Sequence, residues 1–217
     1  MKINKYIDHT ILNQDATKEE VIEKCNEAKE YGFKSVCVNS SYVELVKKEL
    51  EGSDVLTCCT IAFPLGCGST EGKVEEAREA IIDGADEVDM VINVGRLKDK
   101  EYDYVENEIR LIKEACGDKT LKVIIETCLL TDEEKVKACE LSVNANADFV
   151  KTSTGFSTGG ATVDDVKLMK KTVGDKCQVK ASGGIRTLQQ VYDMIEAGAD
   201  RIGASRAVAF VKEQEEK

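Results

Sequence analysis

The chain has 217 residues, 42% apolar and 33% charged, with 30 basic and 41 acidic side chains and a formal charge of −11. That length supports one substantial core, and the acidic balance repels nucleic acid and anionic membranes, so a phosphate-bearing ligand must be held by local donors. No Pro/Gly/Ser-rich linker or charge block divides the sequence, so residues 1–217 are expected to form a single domain.

The first residues, Met1 to Asp8, lack the apolar stretch of a signal peptide. No later run approaches the about 18 apolar residues needed to span a bilayer. A cytoplasmic protein without a membrane partner is expected. The nine cysteines are odd in number and scattered, with no Cys-x-x-Cys spacing, and are expected to be reduced core residues. His9 is the only histidine, too few imidazoles for a zinc site, and no Gly-x-Ser-x-Gly elbow accompanies it for a serine triad.

In chain order, the predicted strands are Tyr6-Ile7-Asp8, Ser35-Val36-Cys37-Val38, Val55 to Ala62, Glu87 to Asn93, Leu121 to Thr127, Phe149 to Ser153, Val179 to Ser182 and Arg201 to Ala204. Helical periodicity fills the intervals, as in Val21, Ile22, Cys25 and Ala28, or Val105, Ile109, Ile112 and Ala115. Capping boxes at Thr17-x-x-Glu20, Ser41-x-x-Glu44, Thr131-x-x-Glu134 and Thr187-x-x-Gln190, with a weaker Thr162-x-x-Asp165, mark helix starts. Glycines 32, 52, 84, 117, 174 and 198 mark helix ends. Gly84-Ala85-Asp86, Asn146-Ala147-Asp148 and Gly198-Ala199-Asp200 repeat at intervals of two βα units. Eight such units predict an α/β fold, a single (β/α)8 TIM barrel with a short N-terminal extension. An open doubly wound sheet is the alternative, but its Gly-x-Gly-x-x-Gly turn is absent after the first strand.

In such a barrel the strand bodies are expected to pack as apolar layers, with polar residues at the strand ends forming the site. That rule gathers Asp8, Cys37, Asp89, Asn93, Glu126, Lys151, Lys180, Ser182 and Ser205. The sixth and seventh strands each carry one lysine, Lys151 and Lys180, among apolar neighbours. A lysine with its usual pKa of about 10.4 is neutral in only about 0.04% of molecules at pH 7, whereas one lowered to about 7.5 is neutral in about a quarter. Desolvation and a second cation can produce that shift, so Lys151 reads as a reactive amine and Lys180 as its cationic neighbour. A plain ion pair between Lys151 and Asp89 or Glu126 is the competing explanation. Asp89 either balances the lysines or moves protons.

Ser182-Gly183-Gly184-Ile185-Arg186 and Gly203-Ala204-Ser205-Arg206 follow the last two strands, the usual phosphate position in this architecture. Their glycines let backbone N–H groups approach an oxyanion. At the first strand's end, His9 reads as a structural hydrogen bonder, with Asp8 and Thr10 left for substrate hydroxyls. Cys37 reads as packing rather than nucleophile.

With these residues in place, the chain resembles the deoxyribose-phosphate aldolases of the short bacterial or archaeal type. The likeness rests on Ile7-Asp8-His9-Thr10, Ser35 to Asn39, Phe63-Pro64-Leu65-Gly66, Glu87 to Gly95, Leu121 to Cys128, Phe149 to Thr162 and Val179 to Thr187. It implies a class I aldolase, free of metal and cofactor, that reversibly cleaves 2-deoxy-D-ribose 5-phosphate to D-glyceraldehyde 3-phosphate and acetaldehyde. Lys151 matches the Schiff-base lysine, and Asp89 with Lys180 matches the proton-transferring pair. Asp8, Thr10, Cys37, Thr152, Gly155, Gly183, Gly184, Arg186, Gly203 and Ser205 are expected to bind substrate, and a homodimer or homotetramer is expected. Phe156 stands where many members of the family carry a lysine, and Arg206 where the residue is often small. Another phosphate-binding class I lyase, or a barrel that binds sugar phosphate without turnover, are the alternatives.

Overall fold

Alternation along a β-strand sends successive side chains to opposite faces. The computed structural model, which describes residues 1–216, shows what each face meets; Lys217, the last residue of the tail, lies outside it. The parallel strands are β1 (Ile7–Thr10), β2 (Ser35–Asn39), β3 (Leu56–Ile61), β4 (Glu87–Val91), β5 (Thr120–Ile124), β6 (Phe149–Lys151), β7 (Gln178–Ser182) and β8 (Arg201–Ala204). They pair in chain order, and β8 closes the barrel against β1 through Ile7 with Ile202 and Asp8 with Gly203. The expected eight-stranded barrel is therefore present, with strand ends displaced by a few residues.

The outer layer holds α1 (Lys18–Tyr31), α2 (Val43–Glu49), α3 (Thr70–Ile82), α4 (Val94–Lys98), α5 (Tyr102–Cys116), α6 (Asp132–Asn144), α7 (Val163–Val173), α8 (Leu188–Glu196) and α9 (Ala207–Glu215). The N-terminal extension is a single 3-10 turn, Asn4–Tyr6, behind fully buried Ile3. No helix among the described residues is long and apolar enough to cross a membrane.

Three expected capping boxes close reciprocally, at Thr17 with Glu20, Thr131 with Glu134 and Thr187 with Gln190. Thr162 accepts the Asp165 N–H without the return contact. The box expected at Ser41 does not form. Ser40–Tyr42 coils into a 3-10 turn, so Ser41 lies inside a turn rather than at the extended position a cap requires, and α2 begins at Val43 uncapped. Ser69 and Asn93 cap α3 and α4 instead, accepting the N–H groups of Gly72 and Arg96.

The apolar core lies between barrel and helices. Outward residues such as Val36, Val38, Val88, Met90, Leu121, Val123, Val179 and Ile202 pack there against Val21, Val105, Ile109, Val166 and Leu188. Each large apolar side chain buried in this way contributes about 1.5–3 kcal/mol. The barrel interior departs from the apolar layers expected. Its rungs pair Asp89 with Lys122, Lys151 with Lys180, Lys180 with Arg201 and Cys58 with Glu87. Apolar residues inside the barrel are few: a small cluster of Leu12, Cys37 and Cys58, together with Val91, Ile124 and the Phe149 ring. Seven cysteines are buried as expected, whereas Cys67 and Cys128 are exposed, and all nine are free thiols.

The repeated aspartate has a structural use. Asp86, Asp148 and Asp200 accept the backbone N–H groups of Thr57, Leu121 and Val179, the strand entrances beside them, at 3.1, 2.8 and 2.9 Å. Lys47, Lys113 and Lys170, from the helices leading into those strands, pair with the same carboxylates. At Gly198 a Cβ atom would stand 2.8 Å from the Cγ of Lys170, so the glycine lets the lysine stem lie flat across it.

Candidate active site

Strand register stacks opposite charges inside the barrel until they close a loop. Asp89 accepts Lys180 on Oδ2 at 2.8 Å and Lys122 on Oδ1 at 2.8 Å. Lys180 reaches Asp8 Oδ2 at 2.5 Å, and Arg201 joins the other oxygen of Asp8 at 2.6 Å. Arg201 also meets Glu87 at 3.0 Å, and Glu87 returns to Lys122 at 2.6 Å. Three carboxylates and three cations thus alternate in a closed six-membered ring. The Phe149 ring lies against Lys122 and Arg201, while Ser35 Oγ and Cys58 Sγ donate to Asp8 and Asp89.

Lys151 is a seventh member, attached from outside. It donates to Asp89 Oδ2 at 2.7 Å, the same oxygen that takes Lys180. The two ammonium groups are neighbours, as expected from sequence, and in this resting arrangement Asp89 balances both. A neutral amine at Lys151 leaves three cations facing three carboxylates.

The ring keeps Asp89, Lys180 and Lys122 charged. Burial alone would raise the pKa of Asp89, but Lys122, Lys151 and Lys180 outweigh it and hold the carboxyl well below the usual range. For Lys180 burial pulls downward, yet the attraction of Asp8 and Asp89 lifts it above ordinary lysines. Lys122 is likewise lowered by burial and raised further by Asp89, Cys58, Glu87 and Asp8. These are buried charges whose large desolvation cost is offset by multiple partners.

Above the ring opens a cavity of about 350 Å³ at the C-terminal end of the strands. Among the described residues, Lys151 is the only charged side chain on its wall, which also includes Thr10, Gly155, Gly183, Gly184, Gly203 and Ser205 from the expected set. Asn13, Thr154, Phe156 and Ile185 line it without having been expected. Gly203 has a spatial reason besides anion approach: a Cβ there would meet Ser182 Cβ at 2.9 Å and Lys180 Cε at 3.2 Å. Gly160 likewise lets the loop after β6 lie on the loop after β7, since its Cβ would fall 2.2 Å from the Gly183 carbonyl oxygen.

Other expected binding residues lie off the cavity. Cys37 is fully buried in the small cluster beside Leu12. Thr152 spends its hydroxyl on β7, donating to the Ser182 carbonyl and accepting the Ser182 N–H, both at 3.1 Å. Arg186 is exposed outside the wall, and Asp8 belongs to the ring beneath it. His9 points outward, bonded to Glu27 at 2.6 Å and packed on Phe33, a structural position as expected. Glu126 supports the wall from behind: its carboxylate accepts the Thr154 hydroxyl at 2.6 Å and the Thr154 N–H at 3.3 Å. Its backbone is left-handed, with φ at 57°, a conformation costly for a side-chain-bearing residue and frequent beside functional sites.

The structure thus combines a closed parallel barrel with a cavity at the C-terminal strand ends, one lysine on its wall and an ionic ring beneath it. The chain belongs to the DeoC/LacD family of aldolases, whose family profile matches residues 2–209. It is 63% identical over 212 residues to the deoxyribose-phosphate aldolase of Finegoldia magna, covering 98% of this chain and all of that protein. Identity to the Clostridium tetani deoxyribose-phosphate aldolase is 60%, covering 98% and 99% of the two chains. Among solved structures, the tetrameric deoxyribose phosphate aldolase of Aeropyrum pernix superposes with a TM-score of 0.89 at 33% identity, covering 98% of this chain and 91% of that one.

Proposed function

We propose that the chain reversibly cleaves 2-deoxy-D-ribose 5-phosphate to D-glyceraldehyde 3-phosphate and acetaldehyde through an imine on Lys151. The observation that carries this is the placement of Lys151 as the sole charged group among the described residues of the cavity wall, sharing one carboxylate oxygen with Lys180. Its neutral amine adds to the C1 aldehyde of the open-chain sugar, and uptake of one proton from water with loss of water leaves a protonated imine, the proton returning to water at the final hydrolysis. That cation accepts the electron pair released when the C2–C3 bond breaks, while the C3 hydroxyl loses its proton and becomes the aldehyde of the departing product. The remaining enamine takes a proton at C2, and hydrolysis frees acetaldehyde and the amine.

Lys180 supplies positive charge beside the amine throughout, and Asp89, through water, passes the proton from the C3 hydroxyl to C2. The phosphate rests near Gly183, Gly184, Gly203 and Ser205, where α9 begins with no side-chain cap on its N-terminal donors. The protein is further proposed to work in the cytoplasm as a homo-oligomer. Borohydride reduction in the presence of acetaldehyde, followed by peptide mapping, tests the assignment. The reduced adduct is expected on Lys151 and absent from Lys151→Arg; an adduct elsewhere overturns it.

A further inference from the structure

Arg201 and Glu87 close the ionic ring on the side away from Lys151, and no step of the proposed chemistry touches them. They are nevertheless buried, at 6% and 2% exposure, and joined by two contacts of 3.0 and 3.1 Å. Arg201 faces Asp8 of β1, Glu87 of β4 and the Phe149 ring of β6. Glu87 faces Lys122 of β5 and Arg201 of β8, with Asp8 and the Cys58 thiol of β3 beside it. Lys151 in turn faces Asp89 of β4, with Lys180 of β7 on the same oxygen.

Removing Arg201 would leave Asp8 Oδ1 with only the Ser35 hydroxyl, so Asp8 would draw more strongly on Lys180 at the expense of Asp89. Removing Glu87 would leave Lys122 to bear more strongly on Asp89, with Asp8 at 3.8 Å as its other carboxylate. Either change reaches the cavity through groups that do line up with Lys151. We infer that Arg201 and Glu87 are positioning residues for the reaction at Lys151: they close the ring that holds Lys180 and Asp89 beneath the amine, and its net charge sets the pH range in which the site works. This role rests on the assignment of Lys151 as the imine-forming amine.

The ring is neutral when its three carboxylates and three cations are ionised, so the two residues make opposite predictions. Arg201→Met leaves one negative charge, which favours the ammonium form at Lys151 and moves the acid limb of the kcat/KM profile to higher pH by about one unit. Glu87→Gln leaves one positive charge and moves the same limb to lower pH. The double variant restores neutrality, and its limb returns towards that of the unaltered enzyme. Both single variants are expected to lose at least about ten-fold in kcat with KM changed less than about three-fold, and Arg201→Lys to recover the pH profile.

Purely structural roles would lower activity without opposite displacements of the limb. Limbs that stay in place, or move the same way in both variants, overturn the inference. If Arg201→Met does not fold, the near-isosteric Glu87→Gln and the charge-preserving Arg201→Lys decide the matter, by a displaced limb in the first and a retained one in the second. Borohydride trapping on the unaltered enzyme keeps the two ideas separable: failure to label Lys151 there strikes the imine assignment, whereas normal labelling with unmoved limbs strikes only the ring.

Discussion

A lysine inside an apolar strand invites a chemical reading, and register places Lys151 and Lys180 on one rung, where both donate to the same oxygen of Asp89. Lys180→Leu is expected to move the activity optimum to alkaline pH, since the cation beside the amine is gone, and to lower stability by about 3–5 kcal/mol because Asp8 and Asp89 lose a buried partner. A pH–rate profile and a urea titration measure the two effects. Lys122 has the same kind of setting yet is inconspicuous in sequence. In Thr120-Leu121-Lys122-Val123-Ile124 it reads as the polar member of an alternating strand, and only barrel closure reveals that the polar face points into a sealed interior. Glu87 and Arg201 open their strands and read as solvent-facing starts for the same reason. Cys37, Thr152 and Arg186 lie off the cavity wall for a different reason: proximity to a motif does not say which way a side chain points.

At the scale of elements, the strand and helix order was legible because each unit carries its own local signals of period, cap and glycine. Where a cap failed, at Ser41, a competing 3-10 turn took the residue. The repeated aspartates were visible as a pattern, but their purpose needed coordinates, since each bonds a strand that lies far from it in sequence. Asp200→Ala removes the acceptor of the Val179 N–H and the partner of Lys170, and is expected to cost about 1–3 kcal/mol. Asp86→Ala and Asp148→Ala, which break equivalent clamps, are expected to cost similar amounts, and pairs of these changes to add, because the sites share no partner. Urea midpoints of the singles and doubles check this; a strongly non-additive pair would show that the clamps act as one unit.

For the molecule as a whole, the ring links stability to pH from both sides. Asp8 and Asp89 have folded-state pKa values below their ordinary ones: burial opposes this, but Lys180 and Lys122 at Asp8, and Lys122, Lys151 and Lys180 at Asp89, outweigh it. Their contribution is complete above the unfolded value of about 3.9 and is lost as pH falls below it. Lys122 and Lys180 are raised despite burial, by Asp89 and Asp8 respectively among others, so their contribution is complete below about 10.4 and fades above it. Burial also pushes His9 down and the Cys25, Cys59, Cys139 and Cys177 thiols up, so the unfolded chain gains a proton below about pH 6.5 and loses thiol protons above about pH 8.5; denaturant midpoints are therefore expected to be level only from about pH 7 to 8 and to fall on either side. The ionic interior also bears on how stability responds to heat. Exposing polar surface lowers the heat capacity of unfolding, whereas exposing apolar surface raises it. A barrel whose interior holds six buried ionised groups among few apolar side chains should unfold with a ΔCp below the about 2.6–3.3 kcal/mol/K typical of 217 residues. Its stability curve would then be broad and shallow, an outcome that calorimetry at several pH values can read directly.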